Sequence, residues 1–205
     1  LLYSMMRRNL LEQQLFPVHA ACAGDDRGYI LLVGHSGVGK TTILMELLKM
    51  RKMKVFSGNK TVMCFKDDGL EAIAGTRTMT GRTKDFDETA SHVGYADRQA
   101  FMLSDDQYTS ASTVPIRAVV LVKLNDGEDR HETIIPMSAV HKLYPFFLDV
   151  MSEDVIVGSD FIYKGGRPEG IENILLAELR KSFEKIHVLH LEGSRSFITK
   201  TLSDL

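Results

Sequence analysis

Tryptophan is missing from this chain of 205 residues, and cysteine and proline are scarce, with two and five residues. Two cysteines without a Cys-x-x-Cys pair form no disulfide framework and no zinc motif. They are interpreted as small buried side chains of a protein in a reducing compartment. The 25 Lys and Arg residues are balanced by 27 Asp and Glu residues. The chain therefore lacks the basic excess that favours binding to a nucleic-acid backbone. The longest apolar runs, residues 29–33 and 118–122, are far shorter than the roughly 20 residues of a membrane-spanning helix. We therefore expect a soluble, cytoplasmic protein that binds neither nucleic acid nor membrane.

The composition itself is that of a globular protein, with 44% hydrophobic and 25% charged residues. A chain of this length can bury one sizeable core, so we expect a single domain over residues 1–205. The chain starts with Leu1, from which we expect that its native start is missing. The formation of a homo-oligomer is left open by the sequence.

Hydrophobic periodicity and turn residues divide the chain into helices and strands. We expect helices over residues 1–15, 42–52, 138–151, 171–183 and 194–205. We expect single strands over residues 18–22, 29–33, 55–56 and 187–191, and two hairpins, 61–65 with 70–74 and 117–124 with 131–135. The predicted fold is therefore α/β, with a mixed sheet that contains antiparallel hairpins and is flanked by helices.

The two hairpins are predicted from their turns, Asp67-Asp68-Gly69 and Asn125-Asp126-Gly127, because an Asp-Gly pair suits a tight turn between β-rich flanks. Tyr144, Phe146 and Phe147 are interpreted as core residues of the helix over 138–151, which Pro145 is expected to kink or divide. Residues 75–113 show no clear period and carry no prediction of structure.

A glycine-rich loop lies between the apolar run 29–33 and the helix over 42–52. It matches the pattern G-x-x-x-x-G-K-[ST] through Gly34, His35, Ser36, Gly37, Val38, Gly39, Lys40 and Thr41. The glycines allow backbone N–H groups to turn toward an anion, and the N-terminus of the following helix adds partial positive charge. Lys40 is expected to reach the β and γ phosphates, and the hydroxyl of Thr41 to hold Mg²⁺. We therefore predict binding of ATP and Mg²⁺ by these residues and the adjoining Thr42.

The order of motifs around this loop resembles that of the HPr kinase/phosphorylase and phosphoenolpyruvate-carboxykinase-like kinases, including their shorter bacterial relatives. His19 lies in a short predicted strand fifteen residues before Gly34, as it does in that family. Residues 34–40 follow the family's G-x-S-G-x-G-K loop, and residues 75–78, which include Arg77, are the candidate for its basic stretch near the phosphates. The resemblance covers about residues 1–125. It implies a phosphate-loop kinase fold in which His19, Lys40, Asn59 and Arg77 are catalytic candidates.

One departure from the family concerns its acidic pair, which follows the strand after the first helix. At that place this chain has Ser57, Gly58 and Asn59, so neither expected carboxylate is present. The amide oxygen of Asn59 can bind a metal, but the amide cannot act as a general base. Asp67, Asp68, Asp85 and Asp87 are alternative carboxylates, although the first two are more simply explained as turn residues.

The usual ATPase signature, four apolar residues followed directly by Asp, is also missing. Residues 119–122 are followed by Lys123, Leu124 and Asn125, and Asp126 is interpreted as a turn residue. Two functions therefore stay open. The first is an ATP-dependent kinase that phosphorylates a hydroxyl of a small molecule or of a peptide or protein serine, with Thr41 and Asn59 on Mg²⁺. The second is a catalytically degenerate ATP-binding protein with a regulatory or scaffolding role.

Overall fold

The computed structural model describes residues 2–50, 53–82, 94–95, 98–151, 155–157, 161–163 and 168–205. Within these residues the α-helices are α1 (Leu2–Glu12), α2 (Lys40–Lys49), α3 (Pro136–Met151), α4 (Ile171–Phe183) and α5 (Arg195–Asp204). The central sheet is built from β1 (Phe16–Val18), β2 (Ala20–Asp25), β3 (Gly28–Val33), β4 (Lys54–Ser57), β5 (Thr61–Lys66), β6 (Gly69–Gly75), β10 (Val114–Leu124), β11 (Arg130–Thr133) and β14 (His187–Gly193). Two smaller sheets contain β7 (Met79–Arg82), β8 (Gly94–Tyr95) and β9 (Arg98–Phe101), and β12 (Val155–Val157) and β13 (Phe161–Tyr163).

The central sheet is mixed, as predicted. On one side of β10 the order is β3, β2, β4, and on the other side β10 pairs with both β6 and β14. β10 is parallel to its neighbours β3 and β14, whereas the other pairs of this sheet are antiparallel. The α/β class with antiparallel hairpins and flanking helices is therefore confirmed.

Helices cover both faces of the sheet, which explains why β3 is apolar throughout. Leu31 and Val33 lie in a buried cluster with residues of α3 and α4, whereas Ile30 and Leu32 lie in a second cluster with residues of α2 and α5. Side chains alternate between the two faces of a strand, so a strand buried on both faces needs apolar residues at every position. Because both of its faces are buried, β3, which leads into the glycine-rich loop, is held firmly in the sheet.

The predicted hairpin of residues 117–124 with 131–135 is wrong. β14 lies between β10 and β11, parallel to the first and antiparallel to the second. The turn between them is real, since the Oδ1 of Asn125 accepts a hydrogen bond from the N–H of Gly127 at 2.9 Å. Turn chemistry is local, however, and does not determine which strand completes the sheet. The more apolar β14 takes the place beside the buried β10.

Other predicted bounds differ by a few residues. The helix predicted over 42–52 begins already at Lys40, and residues 51–52 lie outside the described residues. The strand predicted over 18–22 is divided at His19 into β1 and β2, which pair with different neighbours.

Pro145 lies inside the continuous helix α3. Phe147 is fully buried, and Tyr144 and Phe146 are partly buried against the same cluster. Among the described residues, no helix has the length and apolar character needed to cross a membrane.

Candidate functional site: a phosphate-type loop and its cavity

The glycine-rich loop connects the end of β3 at Val33 to the start of α2 at Lys40. Gly39 has a φ of +99°, and a Cβ there would lie 2.7 Å from the Cβ of Leu124. A Cβ on Gly34 would lie 2.9 Å from the carbonyl oxygen of Val122. A residue with a side chain would therefore collide with β10 at either position, and Gly39 also requires the left-handed backbone that favours glycine.

Two contacts hold the loop in place from outside. The N–H of Leu124 donates to the carbonyl oxygen of Val38 at 2.8 Å, which ties the loop to the end of β10. The ring of His35 lies 4.8 Å from the ring of Phe146 on α3. The loop is therefore supported by the sheet on one side and by a helix on the other.

Lys40 is buried at the base of the loop, with 8% of its surface exposed. Its Nζ donates hydrogen bonds to the carbonyl oxygens of Gly34 at 2.6 Å and His35 at 3.0 Å. Burial disfavours the charged form and lowers the pKa of Lys40 to about 8. The chain thus keeps an ammonium group in a partly desolvated position beside the loop, where an anion would restore its preference for the charged form.

A cavity of about 410 Å³ opens beside the loop. The residues that line it are His19, Ser36, Gly37, Gly39, Lys40, Thr41, Thr42, Asn59, Thr80, Gly81, Leu124, Asp126 and Arg195. Three of the sequence-predicted catalytic candidates, His19, Lys40 and Asn59, therefore meet in one place. Of the predicted loop residues, Gly34, His35 and Val38 support the loop but do not line the cavity.

The hydroxyl of Thr41 has a defined direction. It donates a hydrogen bond at 3.0 Å to the carbonyl oxygen of Thr80, which lies on β7. Thr80 also lines the cavity, in the segment for which the sequence carried no prediction. The first turn of α2 therefore faces β7.

The turn that carries Asn59 is tightly packed. The N–H of Gly58 donates to the carbonyl oxygen of Thr76 at 2.8 Å, and a Cβ on Gly58 would lie 2.4 Å from the Cγ of Met79. Met79 is fully buried. A carboxylate at position 58 is therefore incompatible with this packing, whereas the partly buried Asn59 faces the cavity.

Arg77, the fourth catalytic candidate, does not line the cavity. Its Nη1 lies 3.2 Å from the Oδ1 of Asp105, and its guanidinium lies 4.8 Å from the centre of the Tyr108 ring. Asp67 does not line the cavity either and pairs with Lys181 at 2.8 Å. The alternatives Asp85 and Asp87 lie outside the described residues.

Sequence reasoning missed five of the lining residues: Thr80, Gly81, Leu124, Asp126 and Arg195. Asp126 and Arg195 follow the parallel strands β10 and β14, and ligands of α/β sheets bind at the carboxyl ends of such strands. These two residues could be placed together only from the pairing of β10 with β14. The predicted hairpin of residues 117–124 with 131–135 left Asp126 as a turn residue only.

The donor set of the cavity fits Mg²⁺. This ion prefers oxygen ligands and shares its coordination with water and phosphate oxygens, so one or two protein ligands suffice. Thr41 and Asn59 offer a hydroxyl and an amide oxygen in the same cavity. In the part of the chain that the structure describes, no group of three or more His, Cys, Asp or Glu could hold a metal alone. An ion held jointly with phosphates agrees with this arrangement better than an ion held by the protein alone.

No family model matches the chain, and no curated protein matches its sequence. Among solved structures, the Hpr(Ser) kinase/phosphatase from Coxiella burnetii is similar with a TM-score of 0.45 and 8% sequence identity. That similarity covers 92% of this chain and 88% of the other. A similarity at this level assigns the chain to no family.

Proposed function

We propose that this chain binds ATP with Mg²⁺ in the cavity beside residues 34–41 and transfers the γ-phosphoryl group to a hydroxyl. The acceptor is a small molecule or a serine of a peptide or protein. One observation supports this most: the loop, Lys40 and Thr41 border the same cavity as His19 and Asn59. A place for the phosphates and a place for an acceptor are thus adjacent.

Phosphoryl transfer depends mainly on positioning and on the stabilisation of charge. The loop N–H groups, the N-terminus of α2 and Lys40 provide positive potential for the triphosphate. Mg²⁺ would neutralise charge on the β and γ phosphates, with Thr41 and Asn59 as its protein ligands. His19 lines the cavity and carries an imidazole, which can accept a proton from an acceptor hydroxyl near neutral pH. Arg77 is not part of this proposal, because it pairs with Asp105.

A second function, nucleotide binding with little catalysis, is favoured by a separate observation. Asn59 stands where the family resemblance implies a carboxylate, and the side chain of Met79 occupies the space that a side chain at position 58 would need. The cavity can therefore hold a nucleotide without a carboxylate base on that turn. Such a protein would sense ATP or act as a scaffold.

Mg-ATP supplied with a set of hydroxyl compounds and serine peptides tests the kinase function by release of ADP. Lys40→Ala should abolish both ATP binding and ADP release, because it removes the cation next to the loop. Lys49→Ala is the matched control, since Lys49 is exposed on the same helix and pairs with Glu46 at 3.1 Å. If Lys40→Ala releases ADP as fast as wild type does, the cavity is not the site of the reaction.

Asn59→Asp distinguishes the two functions. A large gain in turnover would indicate a degenerate site, whereas loss of existing activity would show that the amide has its own role. Gly58→Asp should give no gain and should lower the free energy of unfolding by about 2 kcal/mol or more, because it collides with Met79. Urea unfolding of both variants separates this packing effect from chemistry.

A further inference from the structure

We infer that the nucleoside part of the ligand binds over the carboxyl ends of β10 and β14, where Asp126 accepts a hydrogen bond from it. This inference rests on the proposed binding of a nucleoside triphosphate at residues 34–41. The phosphates and the nucleoside then occupy different parts of the cavity, and Asp126 has a role besides that of a turn residue.

Three strands that end at the cavity run in the same direction. β3, β10 and β14 are adjacent and parallel, so their carboxyl ends open at the same edge of the sheet. The glycine-rich loop follows β3, Asp126 follows β10, and Arg195 follows β14, and all three border one cavity. The cavity therefore continues from the loop across two further strand ends.

The two sides of the glycine-rich loop offer different contacts to a ligand. Thr41, the expected Mg²⁺ ligand, donates to the carbonyl oxygen of Thr80 on β7. β7 also contacts the turn that carries Asn59, since a Cβ on Gly58 would lie 2.4 Å from the Cγ of Met79. Asn59 follows β4, which lies two strands from β3 in the direction away from β10. The metal and the γ phosphate therefore belong to the Asn59 side. With strands about 4.8 Å apart, the ends of β4 and β10 are separated by about 14 Å, so the turns that follow them contact different parts of one ligand.

Asp126 is the only carboxylate among the described residues that line the cavity. An ionised carboxylate accepts hydrogen bonds and repels phosphates, so it suits the part of a nucleotide that carries N–H or O–H donors. Those donors are the ribose hydroxyls and the amino group of the base. Asp126 follows β10 and Asn59 follows β4, on opposite sides of β3, so Asp126 meets this requirement.

The turn that presents Asp126 is anchored to β14. The N–H of Asn125 donates to the carbonyl oxygen of Gly193 at 2.9 Å, and its side-chain amide donates to Glu192 at 2.7 Å. Arg195, with its Nη1 3.4 Å from the Oε1 of Glu46, also lines the cavity. A carboxylate on an anchored turn is preorganised for a ligand, which limits the entropy lost on binding.

The test compares ATP with inorganic triphosphate, which has the phosphates and binds Mg²⁺ but lacks the nucleoside. Calorimetry with Mg²⁺ should show that Asp126→Ala weakens ATP about tenfold or more, as expected for a hydrogen bond to a charged group. The same variant should bind triphosphate as wild type does, or more tightly. Glu128→Ala, in the same turn but outside the cavity lining, should leave both affinities unchanged.

Several results would overturn the inference. Equal weakening of ATP and triphosphate would place Asp126 at the phosphate end, and tighter binding of both would mean that Asp126 only repels anions. Unchanged ATP affinity in Asp126→Ala would also exclude it. Wild type that binds neither compound would refute the nucleotide site itself, whereas ATP binding without ADP release would refute only the kinase reaction.

A third compound identifies the donor. If a ribose hydroxyl donates to Asp126, 2′,3′-dideoxy-ATP should bind wild type about as weakly as ATP binds Asp126→Ala. If the base donates, dideoxy-ATP should bind wild type as ATP does and should lose affinity in the variant. If wild type and Asp126→Ala bind ATP equally well and lose the same affinity for dideoxy-ATP, Asp126 does not bind the nucleoside.

Discussion

Burial of Lys40 predicts a specific pH dependence of stability, which Lys40→Met isolates by removing the titrating group while keeping much of the side-chain volume. Burial lowers the pKa of Lys40 from 10.5 to about 8. Between these two values the unfolded chain keeps the lysine proton and the folded chain has lost it. Because the unfolded state then binds more protons, the free energy of unfolding rises with pH in this window.

The magnitude follows from the width of the window. At about 1.36 kcal/mol for each pKa unit, the interval from 8 to 10.5 corresponds to about 3 kcal/mol. We therefore expect wild type to gain about 3 kcal/mol of stability relative to Lys40→Met between pH 7.5 and pH 10.5. Groups that titrate in both proteins cancel in this difference.

Urea unfolding of both proteins at half-unit pH steps, followed by circular dichroism, measures the difference directly. A difference that stays constant across the window would refute the reasoning, because it would mean that Lys40 has the same pKa folded and unfolded. A difference that falls with pH would show that its pKa is raised. Saturating triphosphate should flatten the curve, since a bound anion favours the charged lysine.

Two further predictions concern stability and packing. Gly39→Ala should lower the free energy of unfolding by about 3 kcal/mol, because it adds a collision with the Cβ of Leu124 to a left-handed backbone. Gly170→Ala has a φ of +76° and open space, so it should cost only about 1 kcal/mol, and equal losses at both positions in urea unfolding would refute the collision. Arg117 has a buried Nε and Nη2 without hydrogen-bond partners, so Arg117→Met should raise the free energy of unfolding by about 1 kcal/mol, and a lower urea midpoint would contradict this.

Much of the fold could be predicted because its signals are local. The apolar residues 29–33, the glycine-rich loop and the start of α2 are consecutive in sequence, and both faces of β3 are buried as that composition requires. The hairpin of β5 with β6 depends on a two-residue turn at Asp67 and was also predicted. A few neighbouring residues are enough to determine elements of this kind.

The rest depends on contacts between distant residues. Nothing near Asn125 indicates that β14, rather than the next strand along the chain, pairs with β10. The placement of Asp126 and Arg195 in one cavity follows from that pairing and was missed with it. The lack of space at Gly58 likewise depends on Met79, which belongs to a different sheet. The catalytic roles of His19 and Asn59 stay predictions.

The insertion of β14 between β10 and β11 also has a consequence for how the chain folds. Ala118 pairs with His187, and this register continues to Leu124 and Gly193, so the contact must wait for a segment far along the chain. Pairings of this kind slow folding. Until they form, the edge of β10 exposes an apolar run with unpaired backbone groups, which can add a strand from another molecule. The side of β10 that later pairs with β14 is therefore where a partly folded chain is most open to aggregation.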